Sequence, residues 1–201
     1  MRKLVITLSL LIATFAVQAQ LNLDSLHFVW VDDSKPDTSR IEANTYYIWY
    51  SYLYSQPDTA FALAEDLMTF CKEKNNRKGE AMALHIQGNA RKAQSNYPKA
   101  IEYFTLSLNI RKEIGDKNGV SSSLDLIGDM HQNLGNYPKA FEYFNLSLKI
   151  YEELGMDLHI SGHHLGMGNL YHSKGKEAKA LEHYERSLKI YNELGHKYIT
   201  S

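Results

Sequence analysis

The segment at 96–110, NYPKAIEYFTLSLNI, returns forty residues later at 136–150 as NYPKAFEYFNLSLKI. The two differ only at Ile101/Phe141, Thr105/Asn145 and Asn109/Lys149. A third copy, KEAKALEHYERSLKIYNELG, opens at Lys176. A fixed period of this length means that each unit is one supersecondary element burying its apolar face against the next, the pattern of a solenoid. No other property of the chain restricts its fold as much.

Within each unit the apolar residues follow helical spacing, and no strand-like alternation occurs. First helices are expected to end near Asn96, Gly135 and Gly175, and second helices at Gly115, Gly155 and Gly195, where glycine closes a helix in the left-handed conformation. Pro98 and Pro138 stand where second helices begin, as does Pro57 further upstream. Ala60, Ala100, Ala140 and Ala180 lie forty residues apart, so a divergent hairpin at 40–78 is in register with units at 79–118, 119–158 and 159–195. That hairpin is aromatic, with Tyr46, Tyr50 and Tyr54 on one expected helix face and Trp49 and Tyr52 on another. Gly88, Gly128 and Gly168 sit inside first helices, where glycine costs about 1 kcal/mol relative to alanine. Close approach to Ala100, Ala140 and Ala180 is the expected reason, with Phe104, Phe144 and Tyr184 filling the space between hairpins.

Residues 1–19 read as a signal peptide. Arg2 and Lys3 precede an apolar run from Leu4 to Val17, and Val17-Gln18-Ala19 offers a cleavage site. The run is short for a spanning helix, which needs about 20 apolar residues, so no membrane insertion is expected after cleavage. Residues 20–39 read as a partly irregular leader. The 201-residue chain has a net charge of −1, about −3 without Arg2 and Lys3, which gives no electrostatic case for nucleic acid. A single cysteine, Cys71, excludes an internal disulfide and reads as a buried apolar residue.

Glycine, alanine twelve residues later and an aromatic four beyond that resemble the tetratricopeptide repeat. Leu84 and Leu124 match its first large position, with His164 in the third copy, and Tyr171 matches its helix-one aromatic. Arg91 and His131 depart from that aromatic, Ser107, Ser147 and Ser187 replace the last alanine, and the terminal proline is missing. The forty-residue period is similar to the extended class found in kinesin light chain, against about 34 in the common repeat. HEAT and armadillo repeats have comparable lengths but lack this register. The resemblance implies an all-α, right-handed α-solenoid of antiparallel hairpins, with first helices lining a concave groove that binds a protein or peptide. Carried onto this chain, the groove positions are Trp49, Tyr52, His85, Asn89, Lys92, Asp125, Asp129, Gln132, Asn169 and His172, with Leu165 at the same offset. Asn89, Asp129 and Asn169 form a polar ladder one repeat apart, suited to gripping a peptide backbone. Asp125 and Asp129 argue against a clamp for a terminal carboxylate.

His159 and His163 are four residues apart, near His164 and His172. No cysteine or carboxylate pattern completes a zinc set, so neither a metal nor a cofactor is expected. No Gly-rich phosphate loop, nucleophile elbow or HExxH motif occurs, and no catalysis is expected. The expected protein is exported, periplasmic or on the cell surface. Residues 196–201 read as the start of a further helix that is missing, which would leave Leu188, Tyr191 and Leu194 open to homo-association. The order of signal peptide, aromatic helix and forty-residue repeats also resembles the N-terminal sensor region of bacterial receptors with histidine kinase or nucleotide cyclase output. A sensor truncated at Ser201 is therefore the alternative.

Overall fold

The structure, a computed structural model, describes residues 22–200, with side chains as far as Gly195. The signal-peptide reading of residues 1–19 lies outside them. Every regular element among the described residues is a helix. The helices are α1 (22–31), α2 (Asp37–Ser51), α3 (Pro57–Glu73), α4 (Arg77–Ala93), α5 (Tyr97–Glu113), α6 (Lys117–Asn133), α7 (Tyr137–Leu154), α8 (Asp157–His172) and α9 (Glu177–Thr200). No helix is long and apolar enough to cross a membrane among the described residues. The chain divides into two compact units, one ending at Ile110 and the other beginning at Arg111, so the division falls within α5.

The period is set by the turns. Asn75, Ser95, Gly115, Gly135, Gly155 and Gly175 all take positive φ, at intervals of twenty residues. The residue after several of them caps the following helix. Asn76 accepts from Gly79 N–H at 2.8 Å and Asp116 from Gly119 N–H at 2.9 Å, with longer contacts from Asn96 to Lys99 and Asn136 to Lys139. Asn96 therefore opens α5, and Ser95 is the residue that closes the turn after α4. Ser95 has φ 58°, where a side chain is strained. Ser95→Gly is expected to raise stability by about 0.5–1 kcal/mol by relieving that strain. Urea unfolding reads the change, and an unmoved midpoint would show that Ser95 carries no strain.

The last glycine breaks the series. α9 runs through Gly195 to Thr200, so Gly195 does not close a helix and residues 196–200 continue α9. Glycine permits a left-handed turn but does not compel one. The aromatic helix also differs from expectation. α2 stops at Ser51, which leaves Tyr52 as its C-cap and Tyr54 outside it, while Tyr46 and Tyr50 stack on its exposed face at 6.2 Å.

In the first unit, α2, α3 and α4 enclose a core that includes Ile48, Leu53, Leu67, Cys71 and Ile86. Burial pushes the Cys71 thiol up to about 12, so it is an inert part of that core. In the second unit, Ala140, Phe144, Met167 and Leu170 form a core between α7 and α8.

The mid-helix glycines answer to aromatic rings rather than to alanines. A Cβ built on Gly88 would lie 2.5 Å from Phe104 Cε1, and one on Gly128 would lie 2.7 Å from Phe144 Cδ1. Gly168 meets Tyr184 in the same way. Each ring thus sits on the bare backbone of its own hairpin's first helix. The serines that replace the family alanine also act within hairpins. Ser107 Oγ donates to the Ala81 carbonyl at 2.8 Å, and Ser187 Oγ lies 3.1 Å from Ser161 Oγ. At the helix-one aromatic position, Arg91 lays its guanidinium 3.8 Å above the Phe61 ring, and Tyr171 packs on Phe141 at 5.1 Å. A flat cation does the work of a ring there.

Candidate functional site

In the second unit a pocket of about 480 Å³ opens between α6 and α8. Asp125, Asp129 and Gln132 line one wall, at the four- and three-residue steps that share a helix face. His159, Gly162, His163, Gly166 and Asn169 line the other, with Leu158, Phe144 and Met167 as apolar surface. No lining residue is a lysine or arginine.

Asp125 is held from α7. Ser147 Oγ donates to Oδ1, and Tyr151 OH donates to Oδ2 at 2.7 Å. Burial, with Asp129 adding like charge, pushes the Asp125 carboxyl up, while the two hydroxyls and His159 pull it down. Tyr151 is also pushed up, by burial first and then by its bond to Asp125. His163 is 9% exposed, stands edge-on to Phe144 at 6.0 Å, and has an Nε2 with no hydrogen-bond partner. Burial foremost, then His164 and His183, push it down to about 4, so its ring is neutral at pH 7. Beside it, His164 Nδ1 lies 3.0 Å from His183 Nδ1, joining α8 to α9 through a contact that needs one protonated and one bare nitrogen. Burial first, with nearby cations, lowers both of these histidines.

Gly162 and Gly166 are exposed within α8. A Cβ built on either meets nothing within 4 Å, unlike one on Gly168. Each glycine costs the helix about 1 kcal/mol, and packing does not explain either. The corresponding residues forty earlier are Ser122 and Leu126, and eighty earlier Met82 and Ile86. That contrast was the available sequence signal for the pocket.

Of the groove positions carried over from the family pattern, the structure brings Asp125, Asp129, Gln132 and Asn169 to this one pocket. His172 lies outside it, exposed at the end of α8 with Nδ1 3.0 Å from Glu177 Oε2. Leu165 faces a different hollow, with Tyr184 and Leu188. In the first unit, Trp49 stacks on His85 at 5.9 Å, and Tyr52 OH lies 3.1 Å from Tyr47 OH. Asn89 is 7% exposed, and its Nδ2 donates to the His85 carbonyl of its own helix at 2.9 Å. Lys92 is half-buried on the same helix. The polar ladder is therefore uneven. Asn89 is buried and engaged, Asp129 is half-buried, and Asn169 is exposed with Oδ1 accepting from Tyr184 OH at 2.8 Å. Among the described residues no three histidine, cysteine or acidic side chains converge as a metal site.

Helical hairpins at a forty-residue period, with first helices lining a pocket, define an α-solenoid interaction scaffold. The tetratricopeptide repeat profile matches residues 79–153 and 119–193, and the chain belongs to the tetratricopeptide repeat family. No curated protein matches it. Among solved structures, BtubC from P. vanneervenii is similar with a TM-score of 0.72 at 17% identity, covering 87% of this chain and 71% of that one. A putative kinesin light chain from Podosopora anserina with nearly identical TPR-like repeats gives 0.62 at 16%, covering 89% and 90%. A Rap protein complexed with Competence and Sporulation Factor gives 0.69 at 17%, covering 78% and 44%. At these identities the likeness is one of fold.

Proposed function

We propose that the mature chain is an exported, non-catalytic module, periplasmic or on the cell surface, that binds a protein or peptide. Its contact in the second unit is the pocket between α6 and α8. The observation that carries this reading is that two successive first helices of a tetratricopeptide array turn polar side chains into one pocket of about 480 Å³. The similar Rap protein is complexed with Competence and Sporulation Factor, which supports a ligand of that general kind. The test is a displayed random heptapeptide library panned on residues 20–201. Peptides should be retained, and Gln132→Ala with Asn169→Ala should weaken them about tenfold. No retained peptide, or retention indifferent to both substitutions, overturns the reading.

A second contact is supported by the apolar face of α8 and α9. Tyr191 is 62% exposed, whereas Tyr151, its counterpart one repeat earlier, is 3% exposed. Leu188, Leu181 and Leu165 extend the exposed face, while Leu194 is half-buried. Self-association through this face, or a receptor segment stacking on it, would cover these residues. The mature chain is expected to sediment as a dimer or larger, and Leu188→Glu with Tyr191→Glu should return it to monomer. A wild-type monomer at high concentration sinks the self-association reading.

A further inference from the structure

We propose that His164 and His183 form an acid-operated latch, holding α9 against α8 while they are neutral and releasing it when both are protonated. Opening is confined to this last hairpin. It removes the apolar hollow that the two helices share, lined by Leu158 and Leu165 from α8 and by Tyr184, Leu188 and Tyr191 from α9.

The repeat supplies its own control. The positions of His164 and His183 are filled by Leu84 and Tyr103 in the unit at 79–118, and by Leu124 and Tyr143 in the unit at 119–158. Burial is alike in all three units: Leu84, Leu124 and His164 are buried, while Tyr103, Tyr143 and His183 are half-buried. Tyr103 packs against the apolar cluster that contains Leu84. Two hairpins thus carry apolar leucine and tyrosine here, neither of which titrates near neutral pH. The last hairpin alone carries two histidines.

Their contact counts protons. Nδ1 of His164 lies 3.0 Å from Nδ1 of His183, so one nitrogen carries a hydrogen and the other is bare. One added proton, placed on the far nitrogen of the donor ring, leaves this bond intact. A second has to enter at the bare Nδ1, which turns both rings into donors, breaks the bond and sets two cations face to face. Burial opposes that charge most. Arg186 and Lys179 of α9 oppose it too, while Glu182 of α9 and Glu152 of α7 favour it. Glu182 is itself paired with Arg186 at 2.8 Å. On α8, Tyr171 stacks on His183 at 5.3 Å, and the His163 ring lies 6.1 Å from that of His164. Asp125 and Asp129 of α6 border the pocket on the far side of His163.

α9 is the piece that this contact can release. It packs against α8, and its other side is open, with Leu181, Leu188 and Tyr191 exposed. A helix held along one side is among the parts of a fold that open most readily.

Hydrogen exchange of residues 20–201, corrected for the intrinsic rate at each pH, tests the latch at about pH 7.5 and about pH 5. His163, pushed down by burial to about 4, is still neutral at the lower value, so it does not drive the change. Protection over residues 181–191 of α9 should fall about tenfold or more in acid, while α3 and α4 keep theirs. His164→Leu with His183→Tyr installs the residues of the other units and should hold α9 protection level at both pH values. His183→Gln is a milder variant. Its amide can donate to His164 or accept from it, so a bond survives at either charge, and the acid loss should shrink to about threefold or less. Equal α9 protection at the two pH values in the wild-type chain overturns the latch. So does a loss that spreads to α3 and α4, or one that either variant leaves at its wild-type size.

Discussion

Gly88→Ala is expected to lower stability by about 1–3 kcal/mol, although alanine favours a helix over glycine by about 1 kcal/mol. The two effects oppose each other, and geometry decides between them. The new Cβ would lie 2.5 Å from a Phe104 ring that is fully buried, so the ring cannot swing aside into solvent. Phe104→Ala should cost about 3–5 kcal/mol by opening a cavity. The double variant is the sharper experiment. The methyl at position 88 then points into the space the ring vacated, so the combined loss should fall short of the sum. Additive losses in urea unfolding would show that the glycine and the ring do not share one site. The same substitution at Gly162 or Gly166 should stabilise the protein, which makes the position of a mid-helix glycine, not its presence, the informative fact.

The second large effect is the response to acid. In the folded chain His163 stays neutral down to about 4, while the unfolded chain takes up a proton near the ordinary histidine value of 6.5. Between those values the unfolded state binds more protons, so stability is full above pH 6.5 and falls as pH drops through the window, by up to ~3 kcal/mol. His164 and His183, also lowered, act in the same direction. Protonating both would set two cations 3.0 Å apart across α8 and α9, beside Arg186 and Lys179 and only partly offset by Glu182 and Glu152. Asp125 acts the other way, because a carboxyl raised by burial gains stability as it protonates. Urea midpoints from about pH 7.5 to 4.5 should therefore slide downward, and His163→Leu should flatten the slope. A variant as acid-sensitive as wild type would place the response in other groups.

The hairpins were legible because their determinants are local and repeated: a proline or cap at each start, a left-handed residue at each turn and an apolar face between them. What resisted reading depended on partners in space. Gly88 and Ala100 are both small and suggest each other in sequence, yet it is Phe104 that covers the glycine. Arg91 and His131 read as departures from the family aromatic, but a guanidinium over Phe61 and an imidazole stacked on Tyr143 at 5.5 Å keep a flat contact there. The offsets that gathered Asp125, Asp129, Gln132 and Asn169 into one pocket also selected Asn89, whose amide turns back onto its own helix. Periodicity assigns a face. It does not say which side chain on that face is already engaged by its own hairpin.

The twenty-residue spacing of the left-handed residues governs how a chain of this kind can change length. Removing residues 96–135 would join Ser95 to Asn136-Tyr137-Pro138, the same turn and proline start that Asn96-Tyr97-Pro98 provide. Every cap and every small residue beneath a ring would find its usual counterpart. Inserting a single residue within a helix would instead rotate everything after it by about 100° and carry the ring-bearing face away from its glycine. Growth and loss in this chain are thus tolerated in whole blocks of forty and resisted one residue at a time.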